Sequence, residues 1–236
     1  VDDLREKGIP ARPLHLDSYM TARECGLPHD VGIAREPHRR FRKALEGKAV
    51  DESGNGNNGT IYGAEKTSNG RLRSGLRLQR PGDRVTVPNL DLAGTDLTMA
   101  AWYFRQEPNY GLLIAQGGPA YNQGLVFGVR EKGVFTFGFY QNGWDTTKGA
   151  APMDSWAHWL FTYNVKSGEC KLFKNGTFLM RKHTKDPYTG RGDVDIGSAP
   201  WNHSENDSLL GRVDEVAIWK RALSDTEVRQ FFSAQK

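Results

Sequence analysis

The sequence predicts an all-β fold: two packed antiparallel sheets, one short C-terminal helix and an irregular N-terminal extension. Three observations carry this. From about residue 48 onward the chain breaks into roughly a dozen short runs in which apolar and polar residues alternate. Turn chemistry separates them, as in Pro81-Gly82-Asp83 and Asn175-Gly176. The last run, Gly211-Arg212-Val213-Asp214-Glu215-Val216-Ala217-Ile218-Trp219, is followed by a capping box, Ser224-Asp225-Thr226-Glu227. Val228, Phe231 and Phe232 then form one helical face.

Taken in order, Thr60-Ile61-Tyr62 follows a Gly/Asn loop, and Gly75-Leu76-Arg77-Leu78-Gln79 and Arg84-Val85-Thr86-Val87 alternate cleanly. Leu97-Thr98-Met99-Ala100-Ala101-Trp102-Tyr103-Phe104 becomes apolar on both faces, as a central strand does. Runs at 112–115, 125–129, 134–140, 159–163, 170–173, 178–181 and 194–197 complete the set. Two layers bury one face of each run, which is how an antiparallel sandwich uses alternation.

Composition narrows the options. A hydrophobic share of 37%, with eleven Phe, six Trp and eight Tyr, is that of a chain with a core. A net charge of +4 is mild and asks for no polyanionic partner, and no nucleic-acid motif accompanies it. No apolar run approaches the roughly 20 residues a membrane helix needs. The two cysteines, Cys25 and Cys170, allow at most one internal disulfide and no cysteine metal cluster. Cys170 shares a strand face with Leu172 and reads as a small buried hydrophobe. The chain begins at Val1, so compartment is not legible from its start.

Residues 1–47 differ in texture. They hold four of the eleven prolines, three of the six histidines and the basic cluster His38-Arg39-Arg40-Phe41-Arg42-Lys43, with little alternation outside Pro13-Leu14-His15-Leu16-Asp17. We read them as an arm that packs on another surface, followed by one sandwich domain over 48–236.

About residues 50–232 resemble the laminin-G-like domains of the concanavalin A-like lectin/glucanase superfamily. The pieces appear in the family's order: Asp51-Glu52-Ser53-Gly54-Asn55-Gly56-Asn57-Asn58-Gly59-Thr60, Asp83-Arg84-Val85-Thr86-Val87-Pro88, the strand ending in Trp102, Trp156-Ala157-His158-Trp159, Lys171-Leu172-Phe173-Lys174-Asn175-Gly176, and Arg212-Val213-Asp214-Glu215-Val216. The resemblance implies a concanavalin A-like jelly roll, a glycan or protein partner and an extracellular setting, with an organellar assembly as the alternative. One departure stands out. Where the family opens with an apolar strand, this chain has Arg42-Lys43-Ala44-Leu45-Glu46-Gly47-Lys48-Ala49, so the first strand is either 14–17, with 18–46 inserted, or missing.

The resemblance also implies one structural Ca²⁺ held by Asp51, Asn55 and Asp214, hard oxygen donors of the kind that ion requires. The same loop residues equally well serve a tight turn through side-chain-to-backbone bonds. A glycosidase needs two carboxylates flanking the sugar bond. Here Asp193-Val194-Asp195 offers a pair on one face, but Ser198 stands at the third acidic position, and Asp214 and Glu215 should point to opposite faces of their strand. The expectation is therefore not an enzyme. Aromatics in loop-like contexts beside amides and carboxylates form the candidate ligand set: Tyr121, Asn142, Trp144, Asp145, Trp201 and Asn202, with Tyr188, Asn122, Gln123 and His203 nearby. His158 reads as a core histidine, and Arg191-Gly192-Asp193 as a chance tripeptide. Asn58, Asn175, Asn202 and Asn206 sit in glycosylation sequons, usable only on a secreted chain. A lectin-like binding module is the leading functional expectation. A structural subunit docked through its N-terminal arm is the alternative, and a polysaccharide-cleaving enzyme a distant third.

Overall fold

A computed structural model describes residues 47–53, 55–72, 74–146, 150–203 and 207–235. The arm and the 14–17 strand lie outside these residues. In chain order the strands are β1 (Lys48–Ala49), β2 (Gly59–Tyr62), β3 (Glu65–Thr67), β4 (Gly75–Leu78) and β5 (Arg84–Val87). Next come β6 (Leu97–Arg105), β7 (Gly111–Gly117), β8 (Gly124–Val129), β9 (Phe135–Phe139) and β10 (Asn142–Asp145). The last are β11 (Trp156–Tyr163), β12 (Glu169–Lys174), β13 (Thr177–His183), β14 (Val194–Ile196) and β15 (Gly211–Trp219), followed by helix α1 (Asp225–Ser233). One antiparallel sheet runs β1-β2-β5-β14-β7-β8-β9-β10, the other β13-β12-β11-β6-β15-β4-β3. The predicted sandwich is thus present. Among the described residues, the first strand of the domain is the two-residue β1, paired with β2. No described helix is long and apolar enough to cross a membrane.

The core lies where inward faces meet. Alternation sends Phe135, Phe137 and Phe139 of β9 inward, against Trp159, Phe161 and Tyr163 of β11. Phe135 stacks on Trp159 with centroids 4.0 Å apart, and Phe139 meets Tyr163 edge-on at 4.9 Å. Each such pair adds about 1 kcal/mol beyond its buried area. Cys170 is fully buried, as expected, and burial pushes its thiol pKa up.

The outer face of the second sheet is covered by α1. Ser224 caps it: its hydroxyl accepts from the Glu227 amide at 3.3 Å, and the Ser224 amide donates to Glu227 Oε2 at 2.8 Å. Val228 and Phe231 settle on Leu160, Phe173 and Trp219, where the small Ala100 and Ala217 admit the helix. Thr98 fixes the approach, donating to the Arg221 carbonyl at 2.7 Å and accepting from the Leu223 amide at 2.9 Å. His158 lies beneath the helix end, within 6 Å of the rings of Trp102, Phe231 and Phe232. Neither ring nitrogen has a hydrogen-bond partner among the described residues.

A bulge interrupts the alternation of β15. The register shifts between Asp214 and Ala217, and Glu215 adopts a left-handed φ of 52°. The bulge removes Glu215 from simple alternation, and both Asp214 and Glu215 are fully buried.

Burial depresses the His158 pKa to about 3. Above pH 6.5 the ring is neutral folded or unfolded. Below it, the unfolded chain takes up a proton that the folded one refuses, so stability falls as pH drops from 6.5 towards 3. Asp214 acts oppositely, because burial raises its carboxyl to about 6 and the folded state protonates first. Urea denaturation should therefore show that His158→Leu shifts the stability change between pH 7.5 and 5 by about 2 kcal/mol towards greater stability at the lower pH. An unchanged pH dependence would place its source elsewhere.

Candidate ligand-binding groove

Because Phe135, Phe137 and Phe139 point inward, Thr136, Gly138 and Tyr140 point outward. Register extends this across the first sheet: Thr86 lies opposite Asp195, Asp195 opposite Ala115, Ala115 opposite Val126, Val126 opposite Gly138, and Gly138 opposite Gly143. Side chains along the row shrink from Thr and Asp to Ala, Val and Gly, and a trough bordered by Val126 and Gly143 opens beside β8 to β10. A Cβ on Gly138 (φ 115°) would come within 2.9 Å of Gly143 Cα and 3.2 Å of the Trp144 ring, so this position requires glycine.

The trough encloses about 650 Å³. Tyr110, Tyr140 and Trp201 supply aromatic walls, and Thr136, Arg130, Gln141, Asn202 and Asp207 supply polar groups. Tyr140 and Trp201 meet edge-on with centroids 6.5 Å apart, and the Arg130 guanidinium lies 5.4 Å from the Tyr110 ring. Burial raises the Tyr110 hydroxyl pKa, and nearby Asp207 adds to the effect. Burial likewise raises the Asp207 carboxyl, opposed by the 2.7 Å bond from Asn202 Nδ2.

Trp201 and Asn202 belong to the β14–β15 connection, which is tied down at both ends. The Leu112 amide donates to the Asp207 carbonyl at 3.2 Å and Asn109 Nδ2 to the Ser208 carbonyl at 2.7 Å. On the other side, Asp195 accepts from Thr86 Oγ1 at 2.6 Å, pairs with His203 Nε2 at 2.8 Å and lies 3.8 Å from Arg84 Nε. Its side chain is only 2% exposed. Asp195 is a structural anchor for the groove wall. Asp193 is exposed and accepts from the Asn89 amide at 3.0 Å, so the two carboxylates stand in unlike surroundings. Arg191 reaches Asp91 at 3.3 Å, which engages both ends of the Arg191-Gly192-Asp193 tripeptide.

Of the six residues picked for ligand contact, the structure places Trp201 and Asn202 in the groove. Trp144 is not in a loop. It lies in β10 opposite Phe137, on the core-facing side, with ring centroids 5.9 Å apart. Asp145 pairs with Arg130 at 2.7 Å at the rim, and Asn142 donates to Asn122 Oδ1 at 2.9 Å. Tyr121 is exposed outside the lining and bonds Asp186 at 2.8 Å. Tyr188 is buried and stacks on Phe139. Tyr110, Tyr140, Thr136 and Arg130 were not picked. The parity of the Phe135-Thr136-Phe137-Gly138-Phe139-Tyr140 run was the available signal for two of them.

The three residues expected to hold calcium each have polar partners within the chain. Asp51 follows the edge strand β1 of one sheet, and its oxygens accept from the Ser53 and Asn57 amides at 2.9 and 2.8 Å. Asn55 Nδ2 donates to Ser53 Oγ. Asp214 lies in the other sheet and accepts from the amides of Arg71, Leu72 and Glu215. No cluster of three or more His, Cys, Asp or Glu able to hold a metal occurs among the described residues. The Asp51 bonds to the Ser53 and Asn57 amides are those of a tight turn.

Against known families, the model of the concanavalin A-like lectin/glucanases superfamily matches residues 79–229. The chain belongs to this superfamily. Human adhesion G-protein coupled receptor D1 is 37% identical over 90 residues, which cover 35% of this chain and 10% of the receptor; the chain spans a small part of that protein. Domain 4 of an extracellular arabinanase from Geobacillus stearothermophilus, solved with arabinotriose, superposes with a TM-score of 0.61 at 18% identity, covering 77% of this chain and 91% of that one. The binding domain of Paraclostridial Mosquitocidal Protein 1 gives 0.61 at 19%, covering 78% and 48%. A Trypanosoma rangeli sialidase gives 0.62 at 16%, covering 80% and 31%. At such identities these likenesses establish the fold, which both enzymes and binding domains use.

If Asp195 anchors the wall, Asp195→Ala leaves Thr86, His203 and Arg84 without their acceptor and should cost about 2–3 kcal/mol in chemical denaturation. Asp193→Ala should stay within about 0.5 kcal/mol. Equal losses would contradict the asymmetry.

Proposed function

We propose that this superfamily member is a non-catalytic binding module that holds a saccharide chain in the groove beside β8 to β10. The observation carrying this is the floor of Val126 and Gly143 between Tyr140, Trp201 and Tyr110. A pyranose or furanose ring has apolar C–H faces and a polar rim. The former stack on aromatic rings, and the latter meets Thr136, Gln141, Asn202 and Asp207. The shared fold with an arabinanase domain solved with arabinotriose supports a sugar as occupant, and that enzyme's extracellular character supports the same setting here. The engaged, buried state of Asp195 and the exposure of Asp193 favour binding without bond cleavage.

Titration calorimetry against arabinotriose, backed by an array of neutral oligosaccharides, tests this. Trp201→Ala and Tyr140→Ala are each expected to weaken binding about tenfold or more, with melting temperature little changed. Trp144→Ala should lower the melting temperature and leave binding in place. Absence of saccharide binding at millimolar concentrations, or indifference to both groove variants, would overturn the proposal.

A further inference from the structure

The second sheet carries a different row on its outer face, beside the part that α1 covers. Glu65 lies opposite Arg77, Arg77 opposite Arg212, Arg212 opposite Phe104, and Phe104 opposite Trp156, one residue from each of β3, β4, β15, β6 and β11. From Arg77 to Trp156 the row spans about 14 Å at the usual strand spacing. The Arg212 guanidinium lies 3.7 Å from the Phe104 ring centroid and 5.5 Å from that of Trp156, while Phe104 and Trp156 meet edge-on at 5.5 Å.

Two arginines directly opposite on adjacent strands repel, and the sheet keeps them without an intervening acid. Burial and the neighbouring Arg77 both depress the Arg212 pKa, whereas Asp154 offsets part of this. Arg212 Nη1 donates to the Asn69 carbonyl at 2.9 Å, but its Nε has no acceptor. The row adjoins a cavity of about 510 Å³ whose wall holds Arg77, Gln79, Gln106, Glu107 and Asn109. Asn109 Oδ1 has no donor. A charged donor and a neutral acceptor are thus both unmet, in a setting rich in amides and aromatic faces.

We infer that this row and its cavity bind a carboxylate-bearing sugar residue of an acidic polysaccharide, at a site separate from the groove. The carboxylate would lie between Arg77 and Arg212, a sugar face on Trp156 and Phe104, and the hydroxyls on Asn109 and Gln106, while the Gln79 oxygen accepts from Arg77 and holds its guanidinium in place. The two amides favour a polyhydroxylated ligand over an acidic peptide, which has carboxylates but few hydroxyls. Glu107 and Glu65 limit the site to sparse charge, so one anionic group per ring suits it better than a densely charged chain.

The test titrates the whole chain with tetragalacturonate, arabinotriose and pentaglutamate. Tetragalacturonate should bind, more weakly at high salt. Arg77→Gln with Arg212→Gln should reduce its affinity about tenfold or more, and Arg212→Lys about threefold, since ammonium keeps the charge but not the planar stacking. Trp201→Ala should leave it unchanged, which separates this site from the groove. Retained affinity in the double variant, loss in Trp201→Ala, no tetragalacturonate binding, or equal binding of pentaglutamate would each overturn the inference. Should the double variant fail to fold, Arg212→Lys alone decides.

Discussion

The aromatic seam between β9 and β11 governs everything else in this molecule. Once Phe135, Phe137 and Phe139 are committed to Trp159, Phe161 and Tyr163, strand geometry leaves no freedom over which residues face outward. A slip of one residue would turn Thr136 and Tyr140 towards the core and three phenylalanines away from it. Register at the seam therefore fixes the groove floor, and Phe139 belongs to both.

The two outer faces solve the same problem differently. On the second sheet, Ala100 and Ala217 leave room that α1 fills with Val228 and Phe231, and the apolar surface is closed. On the first, Trp201 of the β14–β15 connection packs with Tyr110 on Ala115 and Val126, but Val126 and Gly143 still border open space. The uncovered part is the trough. Its wall stands because Asp195, Thr86 and His203 tie one side down while Asn109 and the Leu112 amide hold the other. Buried carboxylates here serve architecture. Asp195 holds a loop, Asp83 accepts from the Gln79 and Arg80 amides, and Asp214 organises the turn at Arg71 and Leu72.

Much of this was legible in the sequence. Alternation located the long strands, and Ser224 with Glu227 located the helix start, because both signals are local. The strands β1, β3 and β10 were not legible, since Lys48-Ala49, Glu65-Lys66-Thr67 and Asn142-Gly143-Trp144-Asp145 lack the pair of aliphatic residues two apart that marked β4, β5 and β14, and their pairing comes from neighbours. Trp144 shows the cost: read as a loop aromatic, it is a core-facing strand residue. The left-handed Glu215 could not be foreseen either, as a bulge arises from mismatch between partner strands. Trp201 and Asn202 were found as loop residues. Tyr110 and Tyr140 were missed because an aromatic inside or beside an apolar run looks like core until parity is counted.

The central claim is that sugar occupies the space left by the small residues of β8 to β10. A crystal structure of the chain soaked with a saccharide that it binds in solution tests it most directly. Density stacked on Tyr140 and Trp201, above Val126 and Gly143, is the predicted result. Density seated instead at the loop tip around Tyr121, with the trough empty, would contradict it.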